Sequence, residues 1–121
     1  MISEDLKLKL YSKMFFIRAF EEKLVDLFRK GKLFGTIHGC IGQEGIAVSV
    51  ISALPEGTIY FSNHRCHGHF LAYTDDPASL LAELMGKEGG ACGGRGGSQH
   101  LCYRDFYSNG IQGGIVPIAT G

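Results

Sequence analysis

Several features that mark particular classes of protein are missing from this 121-residue sequence. Its twelve Lys and Arg residues balance its twelve Asp and Glu residues, so no net charge attracts nucleic acid or an anionic membrane. No apolar run reaches the roughly 20 residues that span a membrane. The residues from Met1 to Leu10 lack the architecture of a signal peptide, and the four cysteines form no CxxC pair. Together these absences predict a cytoplasmic protein with reduced thiols.

Glycine, by contrast, is abundant near the end of the chain, where eleven of the 18 glycines lie between Gly86 and Gly121. This density of glycine predicts one long irregular segment, and long irregular segments are usually either functional or disordered. Its apolar residues, such as Phe106, favour an ordered loop close to a ligand over a flexible linker. It matches neither the Walker A motif nor the dinucleotide-binding fingerprint. The apolar run Ile115–Ala119, with Pro117 as its first helical residue, predicts a helix that nothing after Gly121 completes, which reads as truncation.

The spacing of apolar residues before Gly86 predicts three helices and one strand. The elements are a helix from Ser3 to about Gly31, a helix from Gln43 to Leu54, a strand at Thr58–Phe61, and a helix from Asp75 or Asp76 to Met85. The first helix has a wide apolar face that includes Phe15, Phe16 and Val25, so we expect its own domain or a partner chain to bury it on more than one side. Since one strand makes no sheet, the sequence predicts part of a larger α/β domain or a chain that depends on a partner.

A polar, cationic cluster from His64 to His69 directly follows the predicted strand. Open α/β sheets bind ligands at the carboxyl ends of their strands. Arg65 offers a planar set of donors that suits phosphate, whereas the histidines raise the alternative of a metal site. A metal is disfavoured because His67 and His69 would point to opposite faces of a strand and are poorly placed on a helix. The third interpretation is a structural loop whose histidines bond the backbone.

A second histidine of interest, His38, lies in the glycine-punctuated loop from Gly35 to Gly42. A lone histidine in a loop is more often structural than catalytic, but the flanking glycines allow a ligand to approach the backbone closely. Glu44 follows this loop at the predicted start of a helix, where a carboxylate has a structural role beside the helix N-terminus.

Several segments, taken together and in order, resemble one enzyme family. They are Ile17–Glu22, His38, Ile41–Glu44, His64–His69, Leu81–Lys87, Gly94–His100 and Pro117–Gly121. The sequence is similar to the α subunit of thiamine-diphosphate-dependent 2-oxoacid dehydrogenase E1 components, a family that includes pyruvate, branched-chain 2-oxoacid and acetoin dehydrogenases. The resemblance runs from end to end of the chain and corresponds to about the N-terminal third of an α subunit.

The resemblance implies that residues 1–121 are part of a thiamine-diphosphate-binding α/β fold, the helix-rich N-terminal portion of a parallel-sheet domain. The implied reaction is oxidative decarboxylation of a pyruvate-like 2-oxoacid with acyl transfer to a lipoyl carrier. The implied cofactors are thiamine diphosphate and Mg²⁺. The implied partners are an E1 β subunit, in a heterotetramer, and a lipoyl-bearing E2 acyltransferase.

The resemblance also assigns roles to five residues of this chain. Arg65 matches the arginine that binds the cofactor diphosphate, and His64 stands where the family usually has a tyrosine that contacts the same group. His38 matches the active-site histidine near the substrate and the thiazolium. Gly110 and Gln112 match the two positions whose backbone holds the aminopyrimidine ring, with Gln112 in place of a typical valine.

The sequence departs from the family pattern in what it lacks. The Gly-Asp-Gly motif and the later Asn that bind Mg²⁺ in the family would lie beyond Gly121, so we expect no metal ligand in these residues. Gln99 stands where the family usually has Met, and the glutamate that activates the aminopyrimidine belongs to the β subunit rather than to Glu44. Two alternatives follow: a catalytically silent fragment or interaction module that packs on a β subunit, and an acetoin-cleaving or transketolase-like enzyme on the same fold.

Overall fold

The computed structural model describes residues 2–121, which form five helices and three short strands. In chain order these are α1 (Glu4–Arg29), α2 (Glu44–Ala53), β1 (Tyr60–Ser62), α3 (His67–Thr74), α4 (Pro77–Leu84), β2 (Cys102–Tyr103), β3 (Phe106–Ser108) and α5 (Ile115–Thr120). None of these helices is both long and apolar enough to cross a membrane. The expectation of a helix-rich α/β structure is confirmed.

The three helices predicted before Gly86 are confirmed as α1, α2 and α4, and local chemistry explains how two of them begin. The N–H of Leu6 donates to Ser3 Oγ at 3.2 Å, which satisfies one of the free donors at the start of α1. The N–H of Ser79 donates to Asp76 Oδ1 at 3.0 Å at the start of α4. Proline follows Asp76 as the first residue of this helix, where a missing N–H costs no hydrogen bond.

Helix α3 is the one element before Gly86 that the sequence does not predict. Of the three interpretations of His64–His69, that of a structural loop fails from His67 onward, where α3 begins. Five of the eight residues in α3 are buried, and a helix buried on several sides carries no apolar stripe to mark it. Its N-cap residue, Cys66, makes no side-chain capping bond. An apolar stripe and a capping side chain, the two usual sequence signals of a helix, are therefore both missing.

The glycine-rich end of the chain contains β2 and β3, so the expectation of one long irregular segment is wrong. The helix predicted over Ile115–Ala119 is confirmed as α5. Strand β3 lies between β1 and β2, parallel to β1 and antiparallel to β2. The sheet is therefore mixed rather than parallel. Strand β1 also begins two residues later than the predicted Thr58–Phe61, and Pro117 is the third residue of α5 rather than its first.

The turn between β2 and β3 explains why this hairpin has no sequence signal. The turn residues are Arg104 and Asp105, between strands that pair Tyr103 with Phe106. Arg104 adopts a positive φ of 53°, a conformation that favours glycine or asparagine. Short hairpins are recognised by pairs such as Asn-Gly or Asp-Gly, and Arg-Asp is not one of them.

The buried core joins the helices to the underside of the sheet. Its fully buried apolar side chains include Ile17, Leu24, Val48, Phe70, Leu71, Leu80, Leu101 and Phe106. The wide apolar face predicted for α1 is only partly covered by residues 2–121: Phe15 is 64% exposed and Phe28 is 49% exposed. The chain's own described residues therefore do not provide the second buried side that the sequence predicts for this helix.

A buried carboxylate organises the first part of the glycine-rich end, which we call the glycine loop (residues 90–97). Glu83, on α4, is only 1% exposed. Its Oε2 accepts hydrogen bonds from the N–H groups of Cys92 and Gly94, at 2.7 and 2.8 Å. Its Oε1 accepts from Gly96 and Gly97, at 2.6 and 3.0 Å. The glycine loop is thus folded around an anion that the chain itself supplies.

Close approach of backbone to backbone explains why glycine is needed in this loop. A Cβ on Gly90 would lie 2.5 Å from Glu83 Cα, and one on Gly94 would lie 2.5 Å from the carbonyl carbon of Gly86. A Cβ on Gly96 would collide with the carbonyl oxygen of His100. Several of these glycines thus serve the internal packing of the loop around Glu83.

Glu83→Gln is expected to lower the free energy of unfolding at pH 7 by about 3 kcal/mol, because an amide nitrogen cannot accept the hydrogen bonds of two buried N–H groups. The measurement is urea unfolding followed by circular dichroism. Glu88→Gln, at an exposed position a few residues along, is the matched control and should leave stability unchanged. Equal stability of both variants would contradict the proposed role of the carboxylate.

Because of the Glu83 carboxylate, we expect the free energy of unfolding to depend on pH. Burial alone would raise the pKa of Glu83, but the four backbone N–H groups outweigh it and hold the pKa below its ordinary value of 4.5. The stabilisation is therefore complete above pH 4.5 and is lost as the pH falls through the lowered pKa. Urea unfolding from pH 7 to pH 3 should show a smaller loss of stability in Glu83→Gln than in the wild type.

Candidate functional site

The loop between β1 and α3 carries the two residues expected to bind an anion, His64 and Arg65. The N–H of Arg65 donates to Asn63 Oδ1 at 2.9 Å, a local turn that fixes the loop directly after the strand. The sequence-based placement of these residues at the carboxyl end of a strand is confirmed. Ligand groups in open α/β sheets occupy this position.

His38 and His64 come together although they are far apart in the sequence. Their ring centroids are 5.5 Å apart, and the ring planes are nearly perpendicular, at 88°. Nδ1 of His64 is buried and has no hydrogen-bond partner among residues 2–121. An unpartnered buried nitrogen is costly, so this atom is suited to meet a polar group of a ligand.

Gln99 links His38 to a third expected residue, Gly110. Its side-chain amide nitrogen is hydrogen-bonded to Nδ1 of the His38 imidazole and lies 3.1 Å from Nε2 of the same ring. A Cβ built on Gly110 would collide with Gln99 Oε1 and would lie 3.0 Å from His100 Nε2. Gly110 therefore needs to be glycine for Gln99 to contact His38.

Arg65 directs its guanidinium toward the loop that carries His38. Its Nη1 donates to the carbonyl oxygen of Gly39. The side chain is exposed and also lines an open cleft of about 590 Å³ beside α1. One donor of the guanidinium is thus used internally, and the side chain has further donors available for an anion.

Gln112 is the expected site residue whose side chain makes no hydrogen bond to the others among residues 2–121. It lies in the exposed turn that precedes α5, two residues after Gly110. No hydrogen bond within residues 2–121 joins its side chain to His38, His64 or Arg65. Its assigned role uses the backbone alone and stays a prediction.

His67 and His69, the two later histidines of the His64–His69 cluster, have hydrogen-bond partners within the chain. His67 Nδ1 lies 2.7 Å from Glu21 Oε1 in the core. His69 Nδ1 lies 3.0 Å from Ser62 Oγ, and burial lowers the pKa of His69. The described residues 2–121 contain no group of three or more His, Cys, Asp or Glu side chains that could hold a metal ion.

Glu44 has the structural role that the sequence predicts. Its Oε1 accepts a hydrogen bond from Arg18 Nε at 2.7 Å, and its carboxylate also accepts the N–H of Gly42. The hydrogen bond from Arg18 is the main reason why the pKa of Glu44 falls to about 2. The carboxylate ties α2 to α1 and fixes the end of the loop that carries His38.

Three residues that support this site are not predicted from the sequence: Glu21, Ser98 and Gln99. All three lie in segments that resemble the family, Ile17–Glu22 and Gly94–His100, so their position is a signal although their contacts are not. Glu21 lies on a helix beside Glu22 and reads as one more exposed acid, yet it is 1% exposed.

Comparisons with known proteins give a consistent result. A family model described as "Dehydrogenase E1 component" matches residues 12–121. The α subunit of acetoin:2,6-dichlorophenolindophenol oxidoreductase from Bacillus subtilis is 41% identical over 99% of this chain and 37% of the relative. The pyruvate dehydrogenase E1 α subunit from Zymomonas mobilis is 41% identical over 94% of this chain and 33% of the relative. The mitochondrial pyruvate dehydrogenase E1 α subunit from Kluyveromyces lactis is 36% identical over 94% of this chain and 28% of the relative. The chain thus spans about a third of the length of the curated relatives it matches.

Gly110→Ala is expected to displace the Gln99 side chain from His38 while lowering the free energy of unfolding by less than about 1 kcal/mol, because the colliding atom ends a flexible side chain. The ¹⁵N chemical shifts of the His38 ring should change as they do in Gln99→Ala. Gly89→Ala is the matched control, since a Cβ on Gly89 meets nothing within 4 Å. Unchanged His38 shifts in Gly110→Ala would show that Gln99 does not hold this ring.

Proposed function

Because this chain belongs to the dehydrogenase E1 component family, we propose that it forms part of the cofactor site of an α-type E1 subunit of a 2-oxoacid dehydrogenase. The reaction is the thiamine-diphosphate-dependent oxidative decarboxylation of a pyruvate-like 2-oxoacid, with transfer of the acyl group to a lipoyl carrier. An E1 β subunit and a lipoyl-bearing E2 acyltransferase are its partners. The observation that carries the proposal is the family match over residues 12–121.

The residues present fit the diphosphate of this cofactor. His64 Nδ1 is a buried polar atom without a partner among residues 2–121, and Arg65 follows it in the chain with an exposed guanidinium. A guanidinium and an imidazole nitrogen are a donor set that suits phosphate oxygens. Imidazole here takes over the hydrogen bond that the family's usual tyrosine would supply.

Each proposed site residue has a distinct task. Arg65 and His64 bind the diphosphate, and the backbone at Gly110 and Gln112 orients the aminopyrimidine. When bound, thiamine diphosphate supplies an electron sink for the carbanion left by loss of CO₂. The imidazole of His38 holds or moves a proton near the reacting atoms, in an orientation that Gln99 helps to set.

The Mg²⁺ that accompanies the diphosphate is part of the same proposal. Its expected ligands are the Gly-Asp-Gly motif and the later Asn of the family, which are not in this sequence. Within these 121 residues the charge of the diphosphate therefore falls mainly to Arg65.

Acetoin cleavage is a second candidate because a specific observation favours it. The acetoin oxidoreductase subunit from Bacillus subtilis and the pyruvate dehydrogenase subunit from Zymomonas mobilis are equally similar to this chain, at 41% identity each. Both candidate reactions use the same cofactor site, so the residues described above serve either one.

A comparison of substrates distinguishes 2-oxoacid decarboxylation from acetoin cleavage. These residues, within an α subunit that supplies the Mg²⁺ ligands, are reconstituted with a β-type subunit, thiamine diphosphate and Mg²⁺. The assembly is assayed with pyruvate, a branched-chain 2-oxoacid and acetoin, using reduction of 2,6-dichlorophenolindophenol as the readout. We expect kcat/KM to be at least about 10-fold higher for a 2-oxoacid than for acetoin, which corresponds to 1.4 kcal/mol of transition-state stabilisation. The reverse order would assign the acetoin reaction, and no turnover of any of the three would contradict both.

Arg65→Ala is expected to weaken binding of thiamine diphosphate by about 10- to 100-fold, because it removes charge-assisted hydrogen bonds to the diphosphate. Isothermal titration calorimetry on the same reconstituted assembly measures this change. Arg29→Ala removes an exposed arginine that lines the same cleft, and it should bind the cofactor as the wild type does. Equal weakening in both variants would mean that only general charge in the cleft matters.

A further inference from the structure

A second buried carboxylate, Glu21, joins three parts of the chain beneath the candidate site. It lies on α1 and is 1% exposed. Its Oε1 lies 2.7 Å from His67 Nδ1 on α3, and its Oε2 accepts the N–H of Cys40 at 2.9 Å. A carboxylate this deeply buried is stable only if hydrogen-bond donors satisfy both oxygens, and these two donors do so.

The contacts continue from His67 to the backbone of His38. His67 Nε2 lies 3.1 Å from Ser98 Oγ and 3.2 Å from the carbonyl oxygen of Ser98. Ser98 Oγ in turn accepts the N–H of His38 at 3.0 Å. All three side chains are buried, with Glu21 1%, His67 0% and Ser98 8% exposed.

His67 joins Glu21 to Ser98 through its two ring nitrogens. Nδ1 is hydrogen-bonded to Glu21 Oε1. Nε2 lies within hydrogen-bond distance of both the hydroxyl and the carbonyl oxygen of Ser98. The Ser98 hydroxyl oxygen also accepts the N–H of His38, so each polar side chain on the path has a partner.

The result is a backbone segment held at three successive residues. The N–H of His38 is bound by Ser98, the carbonyl of Gly39 by Arg65, and the N–H of Cys40 by Glu21. A Cβ on Gly39 would lie 2.6 Å from Glu21 Oε2, so the segment fits against this carboxylate only with glycine in the middle.

We propose that Glu21, His67 and Ser98 are positioning residues that fix the backbone of His38, and hence its imidazole, for the proton-transfer role assigned above. This inference rests on the proposed function for the part that concerns catalysis. The three residues act through His38, because their polar side-chain atoms are bound to one another and to the backbone of residues 38 and 40. A displacement of about 1 Å in a reacting group can lower the rate about 100-fold, so loss of these positioning residues should lower kcat measurably.

The test is Ser98→Ala, which removes the acceptor of the His38 N–H and the hydroxyl that contacts His67. Hydrogen exchange of the His38 amide, resolved to single residues, is measured in the reconstituted assembly together with kcat and the Kd for thiamine diphosphate. We expect exchange at His38 to become at least about 10-fold faster and kcat to fall about 10- to 100-fold. The Kd should stay within about 3-fold of the wild type, since the diphosphate residues are unchanged.

Two further variants separate positioning from a general structural role. Ser98→Thr retains the hydroxyl and should restore slow exchange at His38 and most of kcat. Ser49→Ala, an exposed serine of α2 whose hydroxyl bonds only its own helix, is the matched control and should change neither. If Ser98→Ala fails to fold, Glu21→Gln takes its place, because one amide oxygen cannot satisfy both His67 and Cys40.

The outcomes distinguish this inference from the proposed function. Slow exchange at His38 in Ser98→Ala, or fast exchange with unchanged kcat, overturns the positioning role. Equal loss of exchange protection throughout the chain also overturns it, because the effect would then be global unfolding. A wild-type assembly that turns over no substrate overturns the proposed function, whereas a local loss of protection at His38 would still support the hydrogen-bond network.

Discussion

The Glu83 carboxylate and the four backbone N–H groups around it are the interaction on which the second half of the structure depends. Burying a charge is costly unless donors replace the water it loses, and here backbone N–H groups of the glycine loop supply all the hydrogen bonds described for it. Helix α4, capped by Asp76, carries the carboxylate to the loop, and glycines at positive φ or in close backbone contact let the chain turn around it. Without the anion, four buried N–H groups would lose their acceptor at once.

The residues that follow the glycine loop in the chain connect Glu83 to the candidate site. Gly97 donates to Glu83, Ser98 meets His67 and the His38 N–H, and Gln99 contacts the His38 ring. Two buried carboxylates, Glu83 and Glu21, therefore hold the opposite ends of one continuous set of contacts. The position of His38 follows from backbone geometry fixed on both sides, rather than from packing of its own ring.

The sequence predicts those elements whose signals are local. Periodic apolar residues and capping side chains predict α1, α2 and α4, and the polar residues after a β-branched stretch place Arg65 at the end of β1. Helix α3 and the Arg104–Asp105 turn carry no such signal, since one is buried on several sides and the other lacks glycine. Glu21 and Glu22 show most clearly what local sequence signals cannot predict. The two residues are identical and adjacent, and one is buried while the other is exposed only because of the residues that the rest of the chain places beside them.

The glycine loop also bears on the proposed function, because it limits where the diphosphate of the proposed cofactor can bind. A concave set of backbone N–H groups is a common anion site, and the density of glycine in this chain invites that interpretation. The N–H groups of residues 92, 94, 96 and 97 are already bound to Glu83, and a second anion there would face the negative charge of this carboxylate at close range. Recognition of a diphosphate therefore falls to side chains outside the loop. Arg65, with exposed donors, and His64, with its unpartnered Nδ1, are the pair at the end of β1 that can provide it.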